Sequence, residues 1–223
     1  VIEFRYFNEA HIGLLLLCFV VGYGALILPR YFASGSPEKS ARFMGRLILL
    51  IVVYEMYYRL TYEGFSWGQV MPLHFCSVSV IAAGFYLGTL KNQYFQVAYY
   101  FSFGALLALL FPGISDYHHH LYFGLFMVTH GAVIFAVFYG MKWFGACPNW
   151  EGFKYATKLC LLLFVISFFW NETHHTNFMF TKAYLLPVFQ VISPFWVYQI
   201  LLVGGFLLGM FLMYLPHRRN DEN

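Results

Sequence analysis

Long apolar runs separated by short gaps bearing glycine, proline or charge set the character of this chain. About 20 helical residues are needed to cross roughly 30 Å of hydrocarbon. Runs of that order lie at 9–29, 46–62, 71–90, 94–111, 120–140, 155–170 and 194–215. The breaks between them carry Ser34, Gly35, Ser36, Pro37, Glu38 and Lys39, then Gly64 and Gly68, then Pro112 and Gly113, then Cys147, Pro148 and Asn149. The pattern predicts an all-α polytopic membrane protein, a bundle of seven transmembrane helices forming one domain over residues 1–223, with no room in the gaps for a separate soluble domain.

Composition agrees: 61% of the 223 residues are hydrophobic and 10% charged, too few polar side chains to cover a soluble globule. Charge then sets orientation. Of the 13 Lys and Arg residues, Arg30, Lys39, Arg42, Arg46, Lys91, Lys142, Lys154, Lys158, Arg218 and Arg219 fall on one side of the expected bundle. Arg5 and Lys182 fall on the other, and Arg59 lies within a helix. The positive-inside bias places the N-terminus outside and the C-terminus in the cytoplasm of a cell-membrane protein. The net charge of +3 follows from this topology and does not call for a nucleic-acid partner. The first apolar run is followed by no small-residue cleavage site, so it reads as a permanent span. The dispersed Cys18, Cys76, Cys147 and Cys160 suggest no disulfide framework.

The remaining polar residues gather toward the outer face. Glu55 and Arg59 stand at i, i+4 on the second helix, where ionised groups left unpaired in lipid are costly. They are expected to pair and face the interior, either as a structural lock or as an anchor for a head group or oxyanion. Tyr54, Tyr58 and Tyr62 form a second stripe at the same spacing, read as packing. In the third helix, Pro72 suits the first turn and Cys76 follows within two turns, where the helix N-terminus favours thiolate. His130 lies about 15 Å along the fifth helix at ~1.5 Å per residue, deep enough to be a functional candidate or a satisfied buried imidazole. The outer loops hold Asp116, His118, His119 and His120 and, beyond the sixth helix, Asn171, Glu172, His174, His175 and Asn177. Their carboxylates and imidazoles allow a zinc site at Asp116, His118, His120 and His174, or simply exposed loop residues. Gly84 with Gly88 and Gly205 with Gly209 match the spacing that lets helices approach closely.

The run Met71-Pro72-Leu73-His74-Phe75-Cys76-Ser77, the stretch from Phe103-Gly104 to Phe111-Pro112-Gly113, Thr129-His130-Gly131, and Asn177 to Phe180 followed by Pro194, Phe195, Trp196 and Tyr198 resemble the YwaF-like bacterial integral membrane proteins. The chain is also distantly similar to an animal multi-spanning family that includes an ether-phospholipid acyltransferase. That resemblance implies Cys76 as acyl-accepting nucleophile and His130 as its base. His74 is the second choice of base, and Arg59, Glu55, Asn171 and Asn177 are candidates for binding substrate or an oxyanion. The leading expectation is a lipid acyltransferase or transacylase open to the outer leaflet, acting on membrane phospholipids without a cofactor. Two other readings stand beside it: a non-enzymatic receptor-like, binding or transport protein for a lipid or small solute, and a zinc-dependent lipid amidase. The apolar inner halves of the third, fifth and seventh helices argue against a channel.

Overall fold

A computed structural model describes residues 2–27, 36–114 and 116–220; Arg30, Ser34 and Gly35 of the first gap lie outside them. Among the described residues eight α-helices follow in order: α1 Glu9–Ile27, α2 Pro37–Tyr62, α3 Trp67–Val70, α4 Phe75–Thr89, α5 Asn92–Leu110, α6 His120–Phe144, α7 Trp150–His174 and α8 Phe195–Tyr214. Apart from the four-residue α3, these correspond to the seven expected helices. A short antiparallel pairing of β1 (Ile2–Glu3) with β2 (Asp116–Tyr117) was not expected from the hydropathy pattern; Ile2 sits opposite Tyr117.

Local chemistry accounts for several boundaries. The Ser36 hydroxyl accepts from the Lys39 N–H at 3.2 Å and Pro37 occupies the first turn, starting α2 earlier than its apolar run does. Asn149 caps α7 by accepting from the Gly152 N–H at 2.7 Å. α6 ends at Gly145 in the left-handed region, φ 61°. Pro72 does not open α4: the helix begins at Phe75 with His74 as its N-cap, and Met71 is the C-cap of α3.

α4 and α5 form the centre, with α2 and α6 packed on α4, α7 on α5, α1 outside α6, and α8 against α7 and α5. α2 and α4 approach each other closely, backbone against backbone. A Cβ on Gly45 would lie 2.6 Å from the Gly84 carbonyl oxygen and 2.8 Å from the Leu87 carbonyl carbon. Gly84 is thus a contact glycine, as its spacing suggested, whereas Gly88 and Gly205 have open space where a Cβ would sit.

Hydrogen bonds tie the connections at each end. At one end Trp170 Nε1 donates to the Gly68 carbonyl at 2.9 Å and Ser167 Oγ to the Leu73 carbonyl at 3.1 Å. At the other, Tyr139 Oη donates to the Pro37 carbonyl, Trp143 Nε1 to the Leu26 carbonyl and Tyr100 Oη to the Asn149 carbonyl. Among the described residues four helical segments are long and apolar enough to cross a membrane: Glu9–Ile27, His120–Phe144, Trp150–His174 and Phe195–Arg218. α4 is shorter, at 15 residues. α2 carries charge along its length, and α5 carries Asn92 and Gln93 exposed in its first turn and Gln96, Tyr99 and Tyr100 in the protein core.

Candidate functional site

The end of the bundle bearing Trp170 and Gly68 collects the polar side chains singled out in the sequence. α2 brings Glu55 and Arg59, α4 brings Ser77 and α6 brings Thr129 and His130 to a cavity of about 40 Å³. Val52, Met56, Val70, Pro72 and Val80 complete its walls. Its size suits a water molecule or two rather than an acyl chain.

His130 is 5% exposed, and its tautomer follows from its partner. Nδ1 lies 2.6 Å from the Phe126 carbonyl oxygen, which can only accept, so Nδ1 carries the proton in the neutral ring. Nε2 therefore presents its lone pair, is buried, and has no hydrogen-bond partner among the described residues. The Phe126 ring, with its centroid 4.0 Å from that of the imidazole, holds it in place. Thr129 Oγ1 lies 3.3 Å from Glu55 Oε2 and 3.0 Å from the Phe126 carbonyl oxygen.

Glu55 and Arg59 share the cavity but form no direct ion pair, contrary to the expectation from their spacing. Glu55 takes the Thr129 hydroxyl as its neighbour, while Arg59 Nη2 donates to the Gln69 carbonyl at 3.1 Å. The guanidinium carbon lies 4.4 Å from the Phe65 ring centroid, and Nε is buried without a partner. A cation fixed by an aromatic face with a spare N–H is suited to receive an anionic oxygen.

Cys76 is the second residue of α4, half-buried, with its thiol facing the backbone N–H groups of Cys76 and Ser77 and the Ser77 hydroxyl. It is close enough to Glu55 for their charges to interact. No hydrogen bond joins it to His130. His74 sits against Phe178 and Phe180, with ring centroids 5.0 and 5.5 Å away, and interacts electrostatically with Arg59 and His130.

Asn171 and Asn177 serve the loop beyond α7. Asn171 is fully buried; its Nδ2 donates to the Phe178 carbonyl at 2.8 Å and to Thr181 Oγ1 at 2.7 Å. Its Oδ1 accepts from Thr176 Oγ1 at 2.6 Å and the Phe178 N–H at 2.9 Å. With both amide hydrogens spent inside the loop, Asn171 has none to offer an oxyanion. Asn177 Oδ1 accepts from the Lys182 and Ala183 N–H groups at 3.0 Å each. Asn171→Ala, which leaves these buried loop groups unpaired, is expected to cost roughly 1–3 kcal/mol, read as a lower melting temperature in detergent micelles.

The loop histidines divide among three partners. His118 and His119 turn to Glu63, His120 Nδ1 lies 3.4 Å from the Tyr117 hydroxyl, and the His174 ring stacks on Trp170 with centroids 4.2 Å apart. Asp116 is engaged through its backbone pairing in β2. Among the described residues no three His, Cys, Asp or Glu side chains converge as a metal site requires.

The Glu63 contact was not foreseen. Its side chain is 1% exposed and accepts from the backbone N–H of His118 at 2.7 Å and of His119 at 3.1 Å, while both imidazoles approach it. One cue was available: a carboxylate just after a helix C-terminus opposes the dipole and needs other donors. Burial resists ionisation of Glu63, but the His118 and His119 donors outweigh it and hold the carboxyl below its usual range. A carboxylate whose folded pKa is depressed stabilises the fold fully above its unfolded pKa, and that contribution fades as pH falls through the folded value. Amide hydrogen exchange at His118 and His119 is accordingly expected to accelerate as pH falls below the ordinary carboxylate range, after correction for the intrinsic pH dependence of exchange. In Glu63→Gln the same amides should be fast at neutral pH as well.

Helices apolar and long enough to cross a bilayer, with a polar cavity enclosed between α2, α4 and α6, define a multi-helix membrane protein. The chain belongs to the TMEM164 family, whose model matches residues 6–214. A protein of Treponema pallidum (strain Nichols), titled "Uncharacterized protein", is 31% identical over 195 residues, covering 87% of this chain and 80% of its own length. No solved structure matches the chain.

Proposed function

We propose that the protein is a multi-pass lipid acyltransferase or transacylase of the cell membrane, with α1, α2 and α4–α8 as seven spans, the N-terminus outside, and the Cys76–His130 end facing the outer leaflet. The distant resemblance to the animal family containing an ether-phospholipid acyltransferase supports the reaction class. The observation that carries it is the unpartnered Nε2 of His130, held as a lone-pair acceptor in a buried cavity shared with Arg59. Leaving a buried acceptor unsatisfied costs free energy, which a general base justifies.

In the proposed mechanism Cys76 Sγ attacks an ester carbonyl of a membrane phospholipid and its proton passes to His130 Nε2. Because the two groups are not hydrogen-bonded in the resting arrangement, a water in the cavity or a rotation of the Cys76 side chain completes this link. Arg59 offers its free N–H to the developing oxyanion. The tetrahedral adduct collapses by breaking the acyl C–O bond, and the leaving lysophospholipid hydroxyl takes the proton from His130. An acceptor lysolipid hydroxyl then gives its proton to His130, attacks the Cys76 thioester and releases the thiol, which recovers the proton. A phospholipid donor fits an outward-facing site better than acyl-CoA, which is made on the cytoplasmic side.

Protein reconstituted in phosphatidylcholine vesicles carrying an isotopically labelled acyl chain is expected to form a hydroxylamine-sensitive adduct on Cys76, located by peptide mass spectrometry. Label should then pass to added lysophospholipid. Vesicles that exchange acyl chains with no adduct on Cys76 would exclude the thiol mechanism, and absence of both adduct and exchange with a range of phospholipid donors would favour a binding role.

A further inference from the structure

A second thiol and imidazole meet at the opposite end of the bundle. Cys147, in the turn between α6 and α7, has its Sγ 3.6 Å from Nδ1 of His217, in the 3₁₀ turn after α8. That distance is a sulfur–nitrogen hydrogen bond linking two segments 70 residues apart.

Buried polar side chains hold both partners. Gln96, 3% exposed, donates from Nε2 to the Cys147 carbonyl at 2.9 Å and accepts at Oε1 from the Asn149 N–H at 3.3 Å. Tyr99, 8% exposed, presents a perpendicular ring 5.7 Å from that of His217 and donates to the Met213 carbonyl at 3.0 Å. A mobile loop thiol would need no such framework.

Cys147 also lines a cavity of about 340 Å³, far larger than the one beside His130. Tyr86, Leu90 and Phe144 contribute apolar side chains to an open space whose lining exposes more polar than apolar surface, and Asn92 gives it the first turn of α5. The N-cap residue of α5, Lys91, makes no side-chain capping bond. The positive end of a 19-residue helix therefore stands beside the thiol, a setting that favours negative charge on a nearby oxygen. Nucleophile and helix N-terminus border one space, and the proton acceptor is hydrogen-bonded to the nucleophile from outside that lining.

We propose that Cys147 and His217 form a second reactive site, at which Cys147 is acylated on sulfur by a long-chain acyl thioester. As Sγ attacks the thioester carbonyl, the thiol proton moves to His217 Nδ1. The tetrahedral adduct then expels the donor thiolate, which takes that proton and leaves as the free thiol. One C–S bond forms and one breaks, with no change of oxidation state. The long-chain class follows from the position of the thiol at the end of a bundle of apolar helices, where the acyl chain of the donor partitions from water into the adjoining membrane while the thioester meets the polar lining. The site is separate from the Cys76 cluster and stands whether or not Cys76 transfers acyl groups.

Palmitoyl-CoA added to the full-length protein in lipid nanodiscs provides the test, with adducts located by peptide mass spectrometry before and after hydroxylamine. The expected result is a hydroxylamine-labile palmitoyl group on Cys147, formed equally fast in wild type and Cys76→Ala. It should form at least about tenfold more slowly in His217→Gln, since an adjacent base contributes on that scale or more. Melting curves of His217→Gln and the iodoacetamide reactivity of Cys147 in wild type, compared with a free thiol, separate loss of the base from loss of the fold. The proposal is overturned if Cys147 stays unmodified in folded wild type, if folded His217→Gln reacts at the wild-type rate, or if the adduct disappears in Cys76→Ala.

Discussion

Acyl transfer is expected to be lost in Cys76→Ala and to slow by about 10²–10⁴-fold in His130→Asn, the range over which a positioned general base contributes. The asparagine variant is chosen for its geometry. Its side-chain amide can donate to the Phe126 carbonyl in place of Nδ1–H, so the α6 contact is conserved while the Nε2 lone pair disappears. Both variants should retain the wild-type melting temperature within a few degrees. Single-turnover transfer from labelled phosphatidylcholine, together with the yield of the Cys76 adduct, distinguishes the roles. His130→Asn should form the adduct slowly and Cys76→Ala not at all. Transfer at the wild-type rate in Cys76→Ala would remove the thiol from the mechanism, and an unchanged rate in His130→Asn would leave its unpartnered nitrogen without a catalytic purpose.

Gly45→Val is expected to destabilise the protein by roughly 3 kcal/mol or more, at or beyond the upper range for overpacking, because the added atoms meet backbone and not a yielding side chain. The Cβ would press on the Gly84 carbonyl oxygen and the backbone at Leu87 and Gly88. The only relief is to move α2 away from α4, which also carries Glu55 and Arg59 off the cavity wall. Thermal melting in detergent should show a large drop or no folded fraction. Gly88→Ala, whose new Cβ meets nothing within 4 Å, should melt like wild type. Equal tolerance of both substitutions would mean that the α2–α4 contact does not set the bundle.

The two glycines show where linear pattern loses its force. Gly84 and Gly88 are equivalent by spacing and the backbones of both approach Gly45 of α2, yet only at Gly84 would an added side chain meet that helix. Spacing states which residues share a helix face; it does not state which face another helix covers. The same limit applies to Glu55 and Arg59. Their i, i+4 relation was correct, but Thr129 from α6 and the Gln69 carbonyl beyond α2 supplied nearer partners than each gave the other.

Hydropathy alone determined the helical class and the approximate extent of all seven long helices, because each apolar run is a local property bounded by local breakers. It also placed Cys76 within the first two turns of its helix, though with that helix opening at Pro72 rather than Phe75, and His130 well inside its own. Tertiary structure decided the chemistry of the site. The tautomer of His130 depends on the Phe126 carbonyl, and the exclusion of Asn171 from oxyanion binding depends on the loop folding back over it. Glu63 holds the His118–His119 loop across 55 residues of chain, and Cys147 reaches His217 across 70. These contacts depend on the directions of side chains from different helices. One-dimensional patterning does not encode those directions, because they arise only when the helices pack and their buried polar groups find partners.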